Sequence, residues 1–221
     1  MITKLIDEAL VAHGFSKEHD TETTRFYVLE SGVAIRFAIL HKLDELLIPE
    51  ELNAIIKKST PEIFTNNPAY KKNCDLICIH HLGKLAEFKE YEEKIFAIEE
   101  DPHFFKKYVL YYSDTELRSL KDYSYEKLKV TIEDKNLFRN YKDEPLMANE
   151  YSVAAKIFIK LPFLELPFNR GELIPLRLQA AESVAEAGLD KTYETIQKFS
   201  EKNADELIKE MISDELENIP N

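Results

Sequence analysis

The segment from Lys94 to Tyr112, KIFAIEEDPHFFKKYVLYY, constrains the fold of this chain more than any other segment. Two apolar runs, Ile95–Ile98 and Tyr108–Tyr112, flank a charged corner. Short apolar runs of this kind are typical of buried strands. The Asp-Pro pair between them is a turn signal, because proline fixes φ and pushes the preceding residue out of the helical region. The segment therefore predicts a pair of core strands joined by the polar loop Glu99–Pro102.

The loop also has a functional interpretation. It holds three consecutive acids, Glu99, Glu100 and Asp101, and two lysines follow at Lys106 and Lys107. In the simpler interpretation, these residues only face solvent in a polar loop. In the functional interpretation, the loop is presented to another protein and these five residues contact it. Both interpretations are open at this point.

Composition narrows the class of protein. The chain has 221 residues, of which 44% are hydrophobic and 32% charged, as in globular rather than disordered proteins. Its net charge of −12 argues against broad binding of phosphate backbones. A local basic patch is still open at Lys57–Lys58, Lys71–Lys72 or Lys106–Lys107. With only two cysteines and no apolar run near 18 residues, the sequence predicts a cytoplasmic protein without a membrane span.

The pattern of apolar residues predicts an α+β (mixed α/β) fold, with an N-terminal sheet and flanking helices followed by a mainly helical C-terminal part. A soft boundary after Glu144-Pro145 divides the chain into an α/β domain, 1–145, and a helical region, 146–221. Residues 16–24 and 59–73 are predicted connections. The predicted helices cover residues 2–13, 49–58, 84–94, 113–120, 134–141, 151–161, 175–187, 190–202 and 204–217. The predicted strands cover 25–30, 33–40, 73–80, 95–98 and 108–112, and the alternation at 128–132 favours a strand but leaves a helix open.

Two later segments are further candidates for partner binding. The segment LPFLELPF, residues 161–168, is strongly apolar, yet its two prolines exclude a regular helix or a central strand. It predicts either a buried crossover or a surface groove that uses Phe163, Leu164, Leu166 and Phe168. The last predicted helix has an apolar stripe that is either core or a docking face, and its candidate contacts are Leu207, Met211 and Ile212.

One set of residues matches an enzyme template. Asp75 followed by Glu87 and Lys89 has the D…ExK spacing of Mg²⁺-dependent restriction-type nucleases, in which two carboxylates hold the metal and the lysine positions water. That chemistry needs adjoining strands, whereas the spacing of Leu85, Phe88 and Tyr91 predicts a helix. A nuclease, or the relic of one, is therefore the alternative hypothesis.

Cys74, Cys78, His80 and His81 are a weaker candidate for a zinc site, because they lie in an apolar strand where cysteine behaves as a small hydrophobe. The sequence has no P-loop, G-x-G-x-x-G or G-x-S-x-G motif. We therefore assign no catalytic, cofactor-binding or metal-binding residue from the sequence.

The run IEEDPHFFKKYVLYY, residues 98–112, resembles the middle component of bacterial three-component systems built around an SMC-like ABC ATPase. The preceding Cys74–Leu82 strand and the L-P-F-L at residues 161–164 support this resemblance. These systems include the Lamassu-type anti-phage complexes, in which this component is the small third subunit. The resemblance implies a non-enzymatic adaptor without cofactors that links the ATPase to a nuclease-type effector and restrains that effector. It also implies that DNA is contacted only indirectly, and it carries over no active-site residue.

Overall fold

A computed structural model describes residues 1–32, 34–167, 176–189, 193, 208–209 and 212–213. The chain divides into two compact units, Met1–Phe168 and Asn169–Asn221. The first unit contains a five-stranded mixed sheet with helices on both faces, which confirms the predicted α+β class. The boundary predicted after residue 145 stays a prediction, although the helix Glu150–Lys160 belongs to the first unit.

Helices and strands are interleaved along the chain. The helices are α1 (Ile2–Ala12), α2 (Pro49–Ser59), α3 (Glu62–Thr65), α4 (Phe88–Glu100), α5 (Asp114–Ser119), α6 (Tyr125–Glu133), α7 (Lys135–Asp143), α8 (Glu150–Lys160) and, in the second unit, α9 (Leu176–Glu186). A short 3₁₀ turn, Leu85–Glu87, precedes α4. The strands are β1 (Ser16–Asp20), β2 (Thr24–Ser31), β3 (Ala34–Leu43), β4 (Cys74–Leu82) and β5 (Lys106–Ser113).

The sheet combines an antiparallel half and a parallel half. Its strand order is β1-β2-β3-β4-β5. Strands β1, β2 and β3 pair antiparallel, and the predicted hairpin of β2 and β3 is confirmed. Strands β3, β4 and β5 pair parallel, so each of the last two connections crosses over the sheet through helices.

Each face of the sheet has its own core. One cluster packs α1, α5, α6 and α8 against one face and includes Tyr27, Leu40, Ile79 and Leu110. The other cluster packs the crossover helices α2, α3 and α4 against the opposite face and includes Phe26, Phe37, Phe64 and Val109. Because both faces are covered, the central strands β3 and β4 are almost continuously apolar.

Local capping signals fix several helix ends as predicted. Gly14 ends α1 with a φ of +82°, and the Phe15 N–H donates to Leu10 O at 3.0 Å. Ser113 and Glu116 form the predicted capping box of α5. Asp134 caps α7 through the N–H groups of Asn136 and Leu137.

The predicted strand at Ile95–Ile98 is wrong, because these residues lie inside α4. Ile95 and Ile98 are buried and three residues apart, whereas Phe96 lies on the exposed side of the helix. A run of four apolar residues does not distinguish a buried strand from a helix turn. The corner therefore joins a helix to a strand rather than two strands.

Three further predictions are corrected. The alternation over residues 128–132, which favoured a strand over a helix, is part of α6, in which Leu128 and Ile132 are buried four residues apart and Val130 is exposed. The predicted loop 16–24 contains β1, whose side chains are all exposed and therefore show no apolar alternation. The predicted connection 59–73 contains α3.

Within the described ranges, no helix has the length and apolar character needed to cross a membrane.

Candidate functional site

The corner between α4 and β5 holds most of the predicted partner-binding charges, and it is closed by a buried ion pair. Lys107 Nζ lies 2.8 Å from Asp101 Oδ2, and the two side chains are 0% and 8% exposed. Asn53 of α2 donates to the same carboxylate oxygen at 2.8 Å. Lys107 also donates to the carbonyl oxygens of His103 and Phe105. These contacts give Asp101 and Lys107 a structural role within the chain.

The pKa of Asp101 reflects this environment. Burial acts to raise the pKa, but the hydrogen bonds from Lys107 and Asn53 outweigh burial and hold the pKa below its ordinary value. The carboxylate is therefore charged at neutral pH. It stabilises the turn that precedes β5.

Glu99 connects three elements. Its carboxylate accepts from Lys160 Nζ of α8 at 2.6 and 2.8 Å. It also accepts from the backbone N–H of Val109 in β5 at 2.8 Å. Glu99 therefore joins α4, β5 and α8, and only part of its side chain faces solvent.

Several residues of the corner face outward, including Pro102 and His103. Glu100 and Lys106 are exposed, as is Phe104, which was not among the contact residues predicted from the sequence. Phe104 has a φ of +69°, in the left-handed region that bulky residues seldom occupy. Lys57 Nζ lies 4.8 Å from the centre of its ring. Sequence patterns do not reveal this conformation, because no glycine or asparagine marks it.

The proline segment divides between core and surface. Phe163 is buried, with its ring centre 5.2 Å from that of Phe15. Leu164 is partly buried against the same core, whereas Leu166 is exposed. Phe168 lies outside the described residues. The segment is therefore a buried crossover at its start, and only Leu166 of the described candidates presents an apolar surface.

The predicted stripe of the last helix is described at only one of its candidate residues. Ile212 is helical and exposed. Leu207 and Met211 lie outside the described residues.

A second buried ionic group, which sequence reasoning missed, joins α5 to α8. Glu116 is fully buried, and Lys156 Nζ lies 2.7 Å from its Oε2. The Ser113 N–H and the Ser152 hydroxyl also donate to this carboxylate. Burial lowers the pKa of Lys156, although Glu116 acts to raise it. Glu116 was predicted to cap α5, but no signal marked the partners that lie 36 and 40 residues later.

The predicted nuclease-type site is not assembled. Asp75 lies near the start of β4, whereas Glu87 follows the other end of that strand. A rise of about 3.3 Å per residue separates Asp75 from Leu82 at that end by about 23 Å. Residues 85–87 form a 3₁₀ turn and Lys89 is helical. Asp75 instead accepts from Arg36 at 2.7 and 2.9 Å, and Glu87 accepts from the Gly83 N–H at 2.9 Å. Both acids therefore have local structural partners.

Of the cysteines and histidines of β4, Cys74, Cys78 and His80 lie on one face of the sheet, and His81 alone lies on the other. Cys74 and Cys78 are buried in the aromatic-rich core, and burial raises the pKa of Cys78 to about 12. His80 is buried beside the Leu43 carbonyl oxygen, whereas His81 is exposed and contacts Asp114 at 2.7 Å. No three potential metal-ligating side chains are grouped anywhere in the described part of the chain.

Four large apolar side chains of the segment from α6 to the loop before α8 are exposed, and sequence reasoning placed no site there. Each of them projects from a helix or from the loop that follows it. They are Val130, Phe138, Leu146 and Met147, and we call them the 130–147 patch. Leu146 is the most exposed of them, at 85%.

Residues 36–136 match the family model of the ABC-three component (ABC-3C) system Middle Component 1. This segment runs from β3 into the start of α7 and covers a little under half of the chain. Neither the curated proteins nor the solved structures contain a match to the chain. The resemblance to the middle component of three-component systems is therefore confirmed over residues 36–136.

Proposed function

We propose that this protein is the middle component of an anti-phage three-component complex, a non-enzymatic adaptor that links an SMC-like ABC ATPase to a nuclease-type effector. In this role it restrains the effector until the ATPase senses foreign DNA. The match of residues 36–136 to the Middle Component 1 family carries the proposal. The Lamassu-type assignment rests on the more specific resemblance of residues 98–112.

The chemistry of the described residues supports an adaptor rather than an enzyme. The two acids that suggested a nuclease, Asp75 and Glu87, accept hydrogen bonds from Arg36 and from the Gly83 N–H. The two cysteines are buried, and the pKa of Cys78 is raised to about 12, so its thiolate is scarce at neutral pH. The buried reduced thiols also suit the reducing cytoplasm in which we place this protein.

The 130–147 patch is the contact surface that we assign to one of the two partners. Apolar side chains that stay exposed as a group often mark protein–protein contacts. Leu146 and Met147 lie in the loop before α8, so their replacement leaves the core clusters untouched. The Glu100–Lys106 side of the corner and Leu166 are the remaining exposed candidates from the sequence.

Co-purification tests the proposal. The tagged protein is expressed with the products of its neighbouring genes, and the mass of the purified complex is measured by native mass spectrometry. We expect recovery with a large SMC-like ATPase and a nuclease-type effector. A free monomer or homodimer without either subunit would refute the proposal.

A matched pair of variants then tests the contact surface. The double variant Leu146→Asp, Met147→Asp should lose one partner from the complex and keep its thermal midpoint. The control Lys121→Asp, Lys135→Asp changes two exposed residues of neighbouring segments and should retain both partners. Retention of both partners by the patch variant would exclude the patch as a contact surface.

A further inference from the structure

Two adjoining cavities lie at the amino ends of β4 and β5. One, of about 390 Å³, is lined by Arg36, Lys72, Asp75 and Lys106 among others. The other, of about 410 Å³, is lined by Lys71, Lys72, Lys106 and Phe104 among others. Both cavities include Lys72, Cys74 and Lys106, so they form one continuous surface, which we call the amino-end groove. Each has the size of a small-molecule pocket.

The charges of the amino-end groove differ from those of the whole chain. Three of its acids already have cationic partners, because Asp75 pairs with Arg36, Asp101 with Lys107 and Glu99 with Lys160. In the described ranges, Glu100 is the one lining acid outside an ion pair, whereas Lys71, Lys72 and Lys106 make no ion pair with a carboxylate. The groove therefore presents excess positive charge on a protein of net charge −12.

An aromatic ring completes the groove. Phe104 lines the second cavity and is 44% exposed, and Lys57 Nζ lies 4.8 Å from the ring centre. Its φ of +69° is unfavourable for a bulky side chain, so the surrounding structure holds it there. Strained backbone of this kind concentrates at binding sites.

We propose that the amino-end groove binds a segment of single-stranded nucleic acid, with phosphates on Lys71, Lys72 and Lys106 and a base stacked on Phe104. Lysines along a groove together with an exposed aromatic ring are the elements of sequence-independent single-strand binding. An acidic peptide would use the lysines but would leave the ring without a planar partner. The inference concerns the isolated chain and does not depend on the proposed adaptor role.

Fluorescence anisotropy of the full-length protein with a labelled oligothymidine of about 10 nucleotides tests this inference. We expect saturable binding at about 50 mM salt that weakens toward about 200 mM. Three phosphate contacts predict a slope of about −2 in the logarithm of affinity against the logarithm of salt concentration. Absence of binding at about 50 mM salt would overturn the inference.

Charge-reversal variants locate the site. Lys72→Glu with Lys106→Glu should lower the affinity at least about tenfold, because each side chain changes from attracting to repelling phosphate. The control Lys121→Glu with Lys135→Glu has the same net charge and should bind within about twofold of the wild type. An equal loss of affinity in the two double variants would show that only net charge matters, and it would overturn the assignment of binding to the groove.

The ring variant and competitors distinguish the kind of ligand. Phe104→Ala should lower the affinity at least about fivefold, since base stacking contributes strongly to single-strand binding. Unchanged affinity would refute the nucleic-acid assignment, as would equally effective competition by polyglutamate of the same charge. Tighter binding of a duplex of the same length would refute the single-strand assignment. Circular dichroism checks that each variant is folded, and Lys72→Gln with Lys106→Gln replaces the reversal variant if it is not.

Discussion

Two buried lysine–acid pairs stabilise this protein in different ways, one at the corner before β5 and one between α5 and α8. At the corner, Lys107 and Asp101 are six residues apart, and the lysine also contacts local carbonyl groups. At the second location, Lys156 and Glu116 are 40 residues apart in the sequence. The first pair closes a turn within the segment that matches the family model. The second attaches α8, which lies beyond that segment, to α5, which lies within it.

The two pairs differ in whether their partners lie inside the family-matched segment. The Asp101–Lys107 pair is self-contained, because its carbonyl acceptors and Asn53 all lie within residues 36–136, and only the neighbouring Glu99 contacts α8 beyond them. The α5–α8 junction instead depends on Ser152 and Lys156, which lie outside it. Damage to the corner should therefore affect the sheet, whereas damage to the junction should mainly loosen α8.

The largest expected effect is that of Asp101→Ala. This change leaves the fully buried Lys107 without its counter-ion, and breaking a buried pair costs about 3–5 kcal/mol of the free energy of unfolding. Because the corner lies near the surface, we expect the lower end, about 3 kcal/mol. Urea unfolding followed by circular dichroism measures the loss. A loss below about 1 kcal/mol would show that the corner is a solvated loop after all.

Lys156→Met should have a somewhat smaller effect, about 2–3 kcal/mol, because it also leaves a buried carboxylate without its counter-ion. Glu116 keeps the Ser113 N–H and the Ser152 hydroxyl as donors, and methionine keeps most of the buried aliphatic stem. Hydrogen exchange should show faster exchange of amides in α8 than in β5. Equal acceleration in both elements would remove the distinction between the two locations. Lys135→Met, at an exposed position, is the control.

The free energy of unfolding in mild acid should distinguish the contribution of Asp101 at the corner from that of the buried histidines of the sheet. Burial lowers the pKa of His41 and His80 below the ordinary 6.5. Below pH 6.5 the unfolded chain therefore binds protons more readily than the folded chain, so stability falls as pH drops from 6.5 toward the lowered values. The loss is of the order of 1 kcal/mol per unit of pKa depression.

The contribution of Asp101 to the free energy of unfolding changes in a different pH range. The pKa of Asp101 is held below its ordinary 3.8, so its contribution is present above that pH and is lost only as pH falls further, through the lowered pKa. Unfolding free energies measured between about pH 7 and pH 5 should therefore decrease in the wild type and in Asp101→Ala alike. His41→Asn should flatten the dependence, and His103→Asn, at an exposed position, should not. A slope that His41→Asn leaves unchanged would contradict this assignment.

The smallest effect is expected for Lys4→Ala, which breaks an exposed pair with Glu8 at 3.6 Å on α1. Pairs of this kind contribute about 0.3–0.5 kcal/mol. The urea midpoint should stay close to that of the wild type. A loss comparable with that of Lys156→Met would mean that burial does not set the ranking of these ion pairs.

Local patterns in the sequence predicted the fold where they were supported by capping or by unbroken apolar character. Gly14, the Ser113–Glu116 box and the β2–β3 hairpin are examples. Predictions were wrong where a short apolar run is compatible with both the helix period and the strand period, as at Ile95–Ile98. The exposed strand β1 was missed because only its backbone pairing defines it.

The candidate site was less predictable, because it depends on contacts between distant residues. Three consecutive acids suggested a solvent-facing corner, yet Glu99 and Asp101 face lysines and Asn53 in the folded chain. Sequence separation hides such partners, and so does the left-handed backbone at Phe104. The lysine pairs were noted individually. Only the parallel register of β4 and β5, which sets Asp75 opposite Lys106, shows that Lys72 and Lys106 share one groove.

The contact of Glu99 with the Val109 N–H has a consequence for assembly. Strand β5 forms one border of the sheet, and a border strand normally offers its unpaired backbone groups to a strand of another chain. Here the Glu99 carboxylate accepts a hydrogen bond from the Val109 N–H. The ion pair of Glu99 with Lys160 also lies across that border, between α4 and α8. At Val109 the edge of the sheet is therefore closed to an added strand, and a subunit that docks there must recognise side chains.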